Sequence, residues 1–564
     1  MLAGCGAGLP RLEPAPDADV VVPASPAALP FEAPASGGLS AGLVFNTLVA
    51  EVAVQRGDMQ TAYAYYLQGA RMSADPYSAE QAVRIGIYLK DIQKALVAVE
   101  QWVQLAPEHL PGRALGVMLY MQADQLDRAF EQLQLLVTIS EEQGEDGFMR
   151  AVAAVSQVGD RHAGLELIRR LVAAHGDDPR ARYALALAAV GAEEYAEAEA
   201  EVRKLVDTYP ERPKAQALLA SILRSRGNLR GALQVLETAL EEAPADRILL
   251  MAYARLLVEA EELEAAYQQF RRLEASVGGD TDITYTLGIL ALELKRWDEG
   301  RAYLLQLFDS GRRGDEAAFY IAHSYEQEGD LDRALDWYGR VMGGNQRIEA
   351  QVRASILLGR RGELDEARAL LRELRTTARH RSVELFLVEG EILREGERYE
   401  EVMALFNQAL REIPGNSELL YARAMNAAAM GRFDVLEQDL QAILQQNPKH
   451  ADALNALGYT LADKTERFQE ALGYIEQALA LKPDSPAILD SMGWVQYRLG
   501  RHEVSLRYLR RAMELMPDAE IAAHLGEVLW VTGDQEQARK IWREALERDP
   551  HSKPLQEAIK RFQP

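Results

Sequence analysis

Residues 519–550, AEIAAHLGEVLWVTGDQEQARKIWREALERDP, restrict the fold more than any other stretch of the chain. Leu525-Gly526 and Leu529 lie one turn apart on a first helix, Gly533 ends it, and Ala538, Trp542 and Ala545 form the facing stripe of a second helix that stops by Pro550. Residues four apart share a helix face, and a glycine in that face lets a neighbouring helix come close. Glycine also supplies the backbone for the stop, and proline cannot continue a helix. The unit is a helical hairpin repeating every 34 residues. One hairpin cannot bury both of its faces, so the chain has to supply neighbours.

It does so from about residue 41 to 550. The same spacing recurs in Gly57-Ala62-Tyr66, in Leu219-Ala220 with Gly227, Ala232 and Pro244, in Gly362-Ala367-Leu371, and in Leu457-Gly458 with Ala471 and Pro483. These motifs resemble the tetratricopeptide repeat. The resemblance implies an all-α solenoid, a right-handed superhelix of about fifteen helical hairpins that encloses a groove and has no pocket of its own. Residues 551–564, with PLQEAIKRF at 554–562, read as a C-terminal capping helix. The turn Ala462–Arg467 is about one residue longer than the repeat allows, and Gly278-Gly279 and Gly343-Gly344 mark loose joints, read as surface loops rather than hinges.

The 564 residues carry 62 basic and 86 acidic side chains, a formal charge of −24. That sign argues against nucleic acid or an anionic lipid surface as the main partner, because both require a basic footprint. The sole cysteine, Cys5, excludes a structural disulfide within the chain, and no apolar run is long enough to cross a membrane. Leu2-Ala3-Gly4-Cys5 resembles the lipobox of bacterial lipoproteins, in which the cysteine is acylated. Residues 1–5 then read as the remnant of a lipoprotein signal. Residues 6–40, rich in Pro, Ala and Gly, read as a disordered tether spanning roughly 30–35 Å. For such lipoproteins, Gly6 after the cysteine implies the outer membrane, with the chain facing the periplasm.

No catalytic constellation survives inspection. The nine histidines are scattered, with no His-Glu-x-x-His, no Cys/His cluster and no glycine-rich phosphate loop. His323 and His524 read as surface or groove residues, since a metal needs three or four convergent ligands. Glu193-Glu194 and Glu261-Glu262 sit at repeat turns and read as solvated. The expectation is a protein that is not an enzyme and has no metal and no cofactor.

Binding is the remaining function, and two places stand out. In the C-terminal repeats, first-helix positions outside the consensus stripe hold Tyr459, Trp494, Tyr497, Arg498 and Trp530, beside Asn455 and Asp490. Trp, Tyr and Arg dominate binding hot spots, so these residues read as an exposed partner-binding groove, whereas Trp297 and Trp542 read as core. At the other end, the first helix is apolar nearly all round, although a terminal repeat normally shows a polar outer face. Its Leu43, Val44, Phe45, Leu48, Val49 and Val52 read as a docking surface or as a face that the chain covers by folding back.

An anchored tether followed by a long acidic repeat array resembles the outer-membrane tetratricopeptide lipoproteins that act as adaptors for carboxyl-terminal processing proteases. The resemblance implies binding to such a protease and to its substrates, the peptidoglycan cross-link hydrolases. The alternative is a structural scaffold for envelope assembly, in pilus, exopolysaccharide or outer-membrane protein biogenesis.

Overall fold

The computed structural model describes residues 40–562, so Cys5 and residues 6–39 of the tether lie outside the described residues. All regular structure in this span is helical, comprising 31 α-helices and one short 3-10 turn. The helices alternate as first and second arms of hairpins, from α1 (Ala41–Gln55) with α2 (Met59–Ser73) to α29 (Ala519–Val531) with α30 (Gln535–Arg548). A last helix, α31 (Lys553–Phe562), follows them. The described residues up to Tyr303 form one compact unit and those from Leu304 a second.

Helix starts and stops follow local chemistry. Asp58, Asp75 and Asp91 each accept a hydrogen bond from the backbone N–H three residues on, at 3.1, 2.8 and 3.1 Å, and so satisfy an otherwise unpaired first-turn donor. Between the arms of most hairpins one residue takes a left-handed conformation, and its recurrence traces the period: Gly227, Glu261, Lys295 and Gly329 have φ of 78°, 61°, 57° and 80°. Glycine adopts this conformation without penalty. At Lys90, Asp124, Glu193, Glu261, Lys295 and Glu397 a side chain is held there, at a cost of about 1 kcal/mol each. The glutamate pairs at 193–194 and 261–262 thus sit in repeat turns.

The hairpin at 519–550 packs as its spacing requires. Leu525, Leu529, Ala538, Trp542 and Ala545 are all buried, and a Cβ on Gly526 would fall inside the Trp542 indole. Trp297 differs from its expected core placement, being only half-buried at the first position of its helix. The lengthened turn at 462–467 does without a left-handed residue. There Thr465 is extended, and its hydroxyl donates to the Leu461 carbonyl at 2.6 Å and accepts from the Arg467 N–H at 3.0 Å. The joint at 343–344 is tied down as well, since Asp315 Oδ1 accepts from the N–H groups of Met342 and Gly343 at 2.7 and 3.1 Å. Helix α31 packs on α29, burying Leu555 and Ala558.

Candidate protein-docking surfaces

In the C-terminal unit three first arms lie side by side: α25 (Ala451–Lys464), α27 (Pro486–Arg498) and α29. Every residue of α27 from Ile488 to Gln496 is buried, as is every residue of α29 from Ile521 to Leu529. The inner side of this stretch is therefore filled by the protein's own side chains.

Trp494 is at the centre of that filling and is only 5% exposed. Its indole N–H donates to Asp463 Oδ1 at 3.2 Å, and its ring stacks on His524 with centroids 4.3 Å apart. His524 Nδ1 lies 2.9 Å from Asp490 Oδ2, while its Nε2 faces the Tyr459 hydroxyl at 3.5 Å. That hydroxyl donates to Glu520 at 3.1 Å, a bond from α25 to α29. Burial pushes the His524 imidazole down, but Asp490 beside it, with Glu520 and Asp463, outweighs burial and holds it above its ordinary value. Burial pushes the Tyr459 hydroxyl far up, with the same three carboxylates adding to the effect.

Of the residues expected to line an open groove, Tyr459, Trp494 and Tyr497 do come together, with Tyr497 5.3 Å from Trp494 ring to ring. They form a packed cluster, and the expectation that Trp494 is exposed is corrected. Burial and the nearby Glu527 push the Tyr497 hydroxyl up to about 12. Arg498 donates to the Asp463 carbonyl at 3.1 Å and covers the Phe468 ring at 4.7 Å, so it braces the long turn. Trp530 belongs to another stack, with Trp542 and Phe562 at 5.7 and 6.3 Å. His323 and His524 are buried rather than superficial. The His524–Asp490 pair was missed from sequence. Its signal is the separation of one repeat, 34 residues, between a histidine and an aspartate on first arms.

The N-terminal helix is arranged the other way. Ser40 caps α1 by accepting from the Leu43 N–H at 3.1 Å. The inward face of α1 is small or polar, burying Asn46, Ala50 and Ala53. Its large apolar residues point out: Phe45 and Leu48 are 59% and 60% exposed, Val44 and Val52 are also exposed, and Leu43 and Val49 are half-buried. Phe45 meets Tyr65 of α2 edge to face at 6.2 Å. Met72, Tyr77, Ile87 and Tyr88, on α2 and α3 (Pro76–Tyr88), add exposed apolar surface. A contiguous exposed apolar patch on a monomeric protein commonly marks an interaction site.

Among the described residues no group of three or more His, Cys, Asp or Glu side chains is placed to hold a metal ion, and no helix is long and apolar enough to cross a membrane.

Comparison of the sequence with known families and proteins agrees with the helical repeat. A tetratricopeptide-repeat family model matches residues 218–281, 285–342, 352–417, 421–486 and 491–553, and a second one matches 157–222. The chain is 34% identical over 495 residues to the TPR repeat-containing protein PA4667 of Pseudomonas aeruginosa, covering 87% of this chain and 83% of that protein. It is 25% identical over 342 residues to the cellulose synthase operon protein C of Pseudomonas fluorescens, covering 56% of this chain and 26% of that protein. Among solved structures, the hetero-tetramer Cut9–Hcn1 of the APC/C is similar over 93% of this chain and 96% of that one, at 14% identity and a TM-score of 0.34.

Proposed function

We propose that this chain, which belongs to the tetratricopeptide-repeat family and is a scaffold for protein–protein interaction, works as a lipid-anchored adaptor for a carboxyl-terminal processing protease. The observation that carries the reading is the outward apolar face of α1. Burying an aliphatic or aromatic side chain of this size is worth roughly 1.5–3 kcal/mol, so Val44, Phe45, Leu48 and Val52 form a ready docking strip for the protease. The repeats further along hold the substrates, peptidoglycan cross-link hydrolases, and Cys5 carries the acyl anchor to the outer membrane. Holding protease and substrate on one scaffold raises their effective concentration and gains about 10²–10⁴ without new contacts between them.

The test is a reconstitution in which purified protease and purified hydrolase are mixed at dilute concentration with and without this chain. Cleavage accelerates about 100-fold on the adaptor reading. An unchanged rate refutes it. A second reading, a structural scaffold for exopolysaccharide export, draws on the likeness to the cellulose synthase operon protein. It expects no acceleration, and loss of polymer secretion when the gene is deleted. The anchor is tested separately, by whether Cys5→Ser moves the protein from membranes to the soluble fraction.

A further inference from the structure

Where the second and third hairpins join the ones before them, the first arm packs on the preceding second arm through small residues. On α3 that face is Ser78, Ala82 and Ile85, all buried, and a Cβ on Gly69 of α2 would lie 3.3 Å from the Ser78 hydroxyl. On α5 (Leu110–Gln122) it is Gly112, Gly116 and Leu119, also buried. Cβ atoms added at the two glycines would meet Trp102 at 3.3 Å and Val99 at 3.9 Å, both on α4 (Ile92–Leu105). The helix caps Asp58 and Asp91 lie 33 residues apart, and so do Phe45 and Ser78, Val49 and Ala82, and Val52 and Ile85. The apolar strip of α1 therefore includes the positions that later first arms bury under another helix. It continues the repeat interface to a place where no hairpin precedes it among the described residues.

A second copy of the chain can bring a helix there in two ways. Head to tail, α1 would stack on the last helix of the next copy, and the contact would repeat without closing. α31 blocks that route, because its outward residues are Gln556, Glu557, Lys560 and Arg561. Head to head, the strip meets itself about a twofold axis and the pair is closed. Charge favours this contact. Two chains of net charge −24 repel, whereas α1 has a single charged residue, Glu51, which accepts a hydrogen bond from the Tyr66 hydroxyl.

The area is sufficient. Val44, Phe45, Leu48 and Val52 are all exposed, and side chains of this kind contribute roughly 100 Å² each, on the order of 400 Å² per copy. Homodimer interfaces are about two-thirds apolar, so a twofold pairing around this core buries about 1,200 Å² in all, the lower end for a specific, stable contact.

We propose that two copies of this chain pair head to head through α1, each helix taking the place that a preceding second arm holds on α3 and α5. Pairing covers the strip to which the protease docks in the adaptor reading, so a partner has to displace the second copy. That masking rests on the adaptor reading, and the pairing itself does not.

Sedimentation velocity of the purified, unacylated full chain tests the pairing with no protease present, between about 1 and 100 µM and in reducing buffer so that Cys5 cannot cross-link copies. The mass rises from that of one chain to that of two and no further, and the pairing tightens as salt is raised. Leu48→Ser weakens it about tenfold, and Phe45→Glu/Leu48→Glu at least about 100-fold, with helix content unchanged. A single-chain mass at the highest concentration overturns the pairing and leaves the strip to another protein or to residues before Ser40. Full pairing by the folded double variant, growth past two copies, or weakening with salt puts the contact on a different face and overturns it as well.

Discussion

The first and last helices of the described chain bury opposite kinds of residue. α31 turns Leu555 and Ala558 inward and leaves Gln556, Glu557, Lys560 and Arg561 in water. α1 turns Asn46, Ala50 and Ala53 inward and leaves Phe45 and Leu48 in water. The first pattern is that of a cap, which covers the apolar side of the last hairpin and presents a polar face outward. The second keeps apolar surface available. Two helices at the ends of similar repeats therefore do different jobs, and they differ both in which face is polar and in how apolar they are overall.

The comparison can be broken most forcefully at the capped end. Trp542 packs against both Trp530 and Phe562 and fills the space left by Gly526, so Trp542→Ala should cost about 3–5 kcal/mol. Hydrogen exchange should show the loss confined to the C-terminal hairpins, with protection of α1 and α2 unchanged. Trp494→Ala should come next, at about 3 kcal/mol, because the residue is buried and bonded to Asp463. A variant of unaltered stability, measured by urea unfolding, would return Trp494 to the surface.

A smaller effect is expected from pH. The folded pKa of His524 lies above its unfolded value of about 6.5, so the imidazolium bonded to Asp490 stabilises the fold fully below that value. The contribution is lost as pH rises through the folded pKa. Melting curves of the unaltered chain and of His524→Gln should therefore differ most at about pH 6 and converge in alkali. The smallest effect belongs to the open end. Leu48→Ser should change stability by less than about 0.5 kcal/mol, since the side chain already faces water.

The hairpin period, the glycine turns and the consensus core were legible because each depends on residues within one repeat. Leu525, Gly526 and Trp542 contact each other inside a single hairpin, and their spacing encodes the contact. The depth of Trp494 was not legible, because its burial comes from His524 one repeat further on and from the bond by which Tyr459 reaches Glu520, 61 residues away. Turns at Glu193, Glu261 and Lys295 lacked the glycine signal and were found only through the period. For α1 the apolar composition was plain but its facing was not. The clue was Asn46, Ala50 and Ala53, whose small size and spacing mark the side where another helix crosses.

The most direct test of the account is the affinity of the purified carboxyl-terminal processing protease for the intact chain and for the double variant Phe45→Glu/Leu48→Glu, measured by biolayer interferometry with helix content checked by circular dichroism. The account predicts binding weakened by about 100-fold while the fold persists, because two apolar anchors of the docking face become charged. Undiminished affinity of a folded double variant would contradict it.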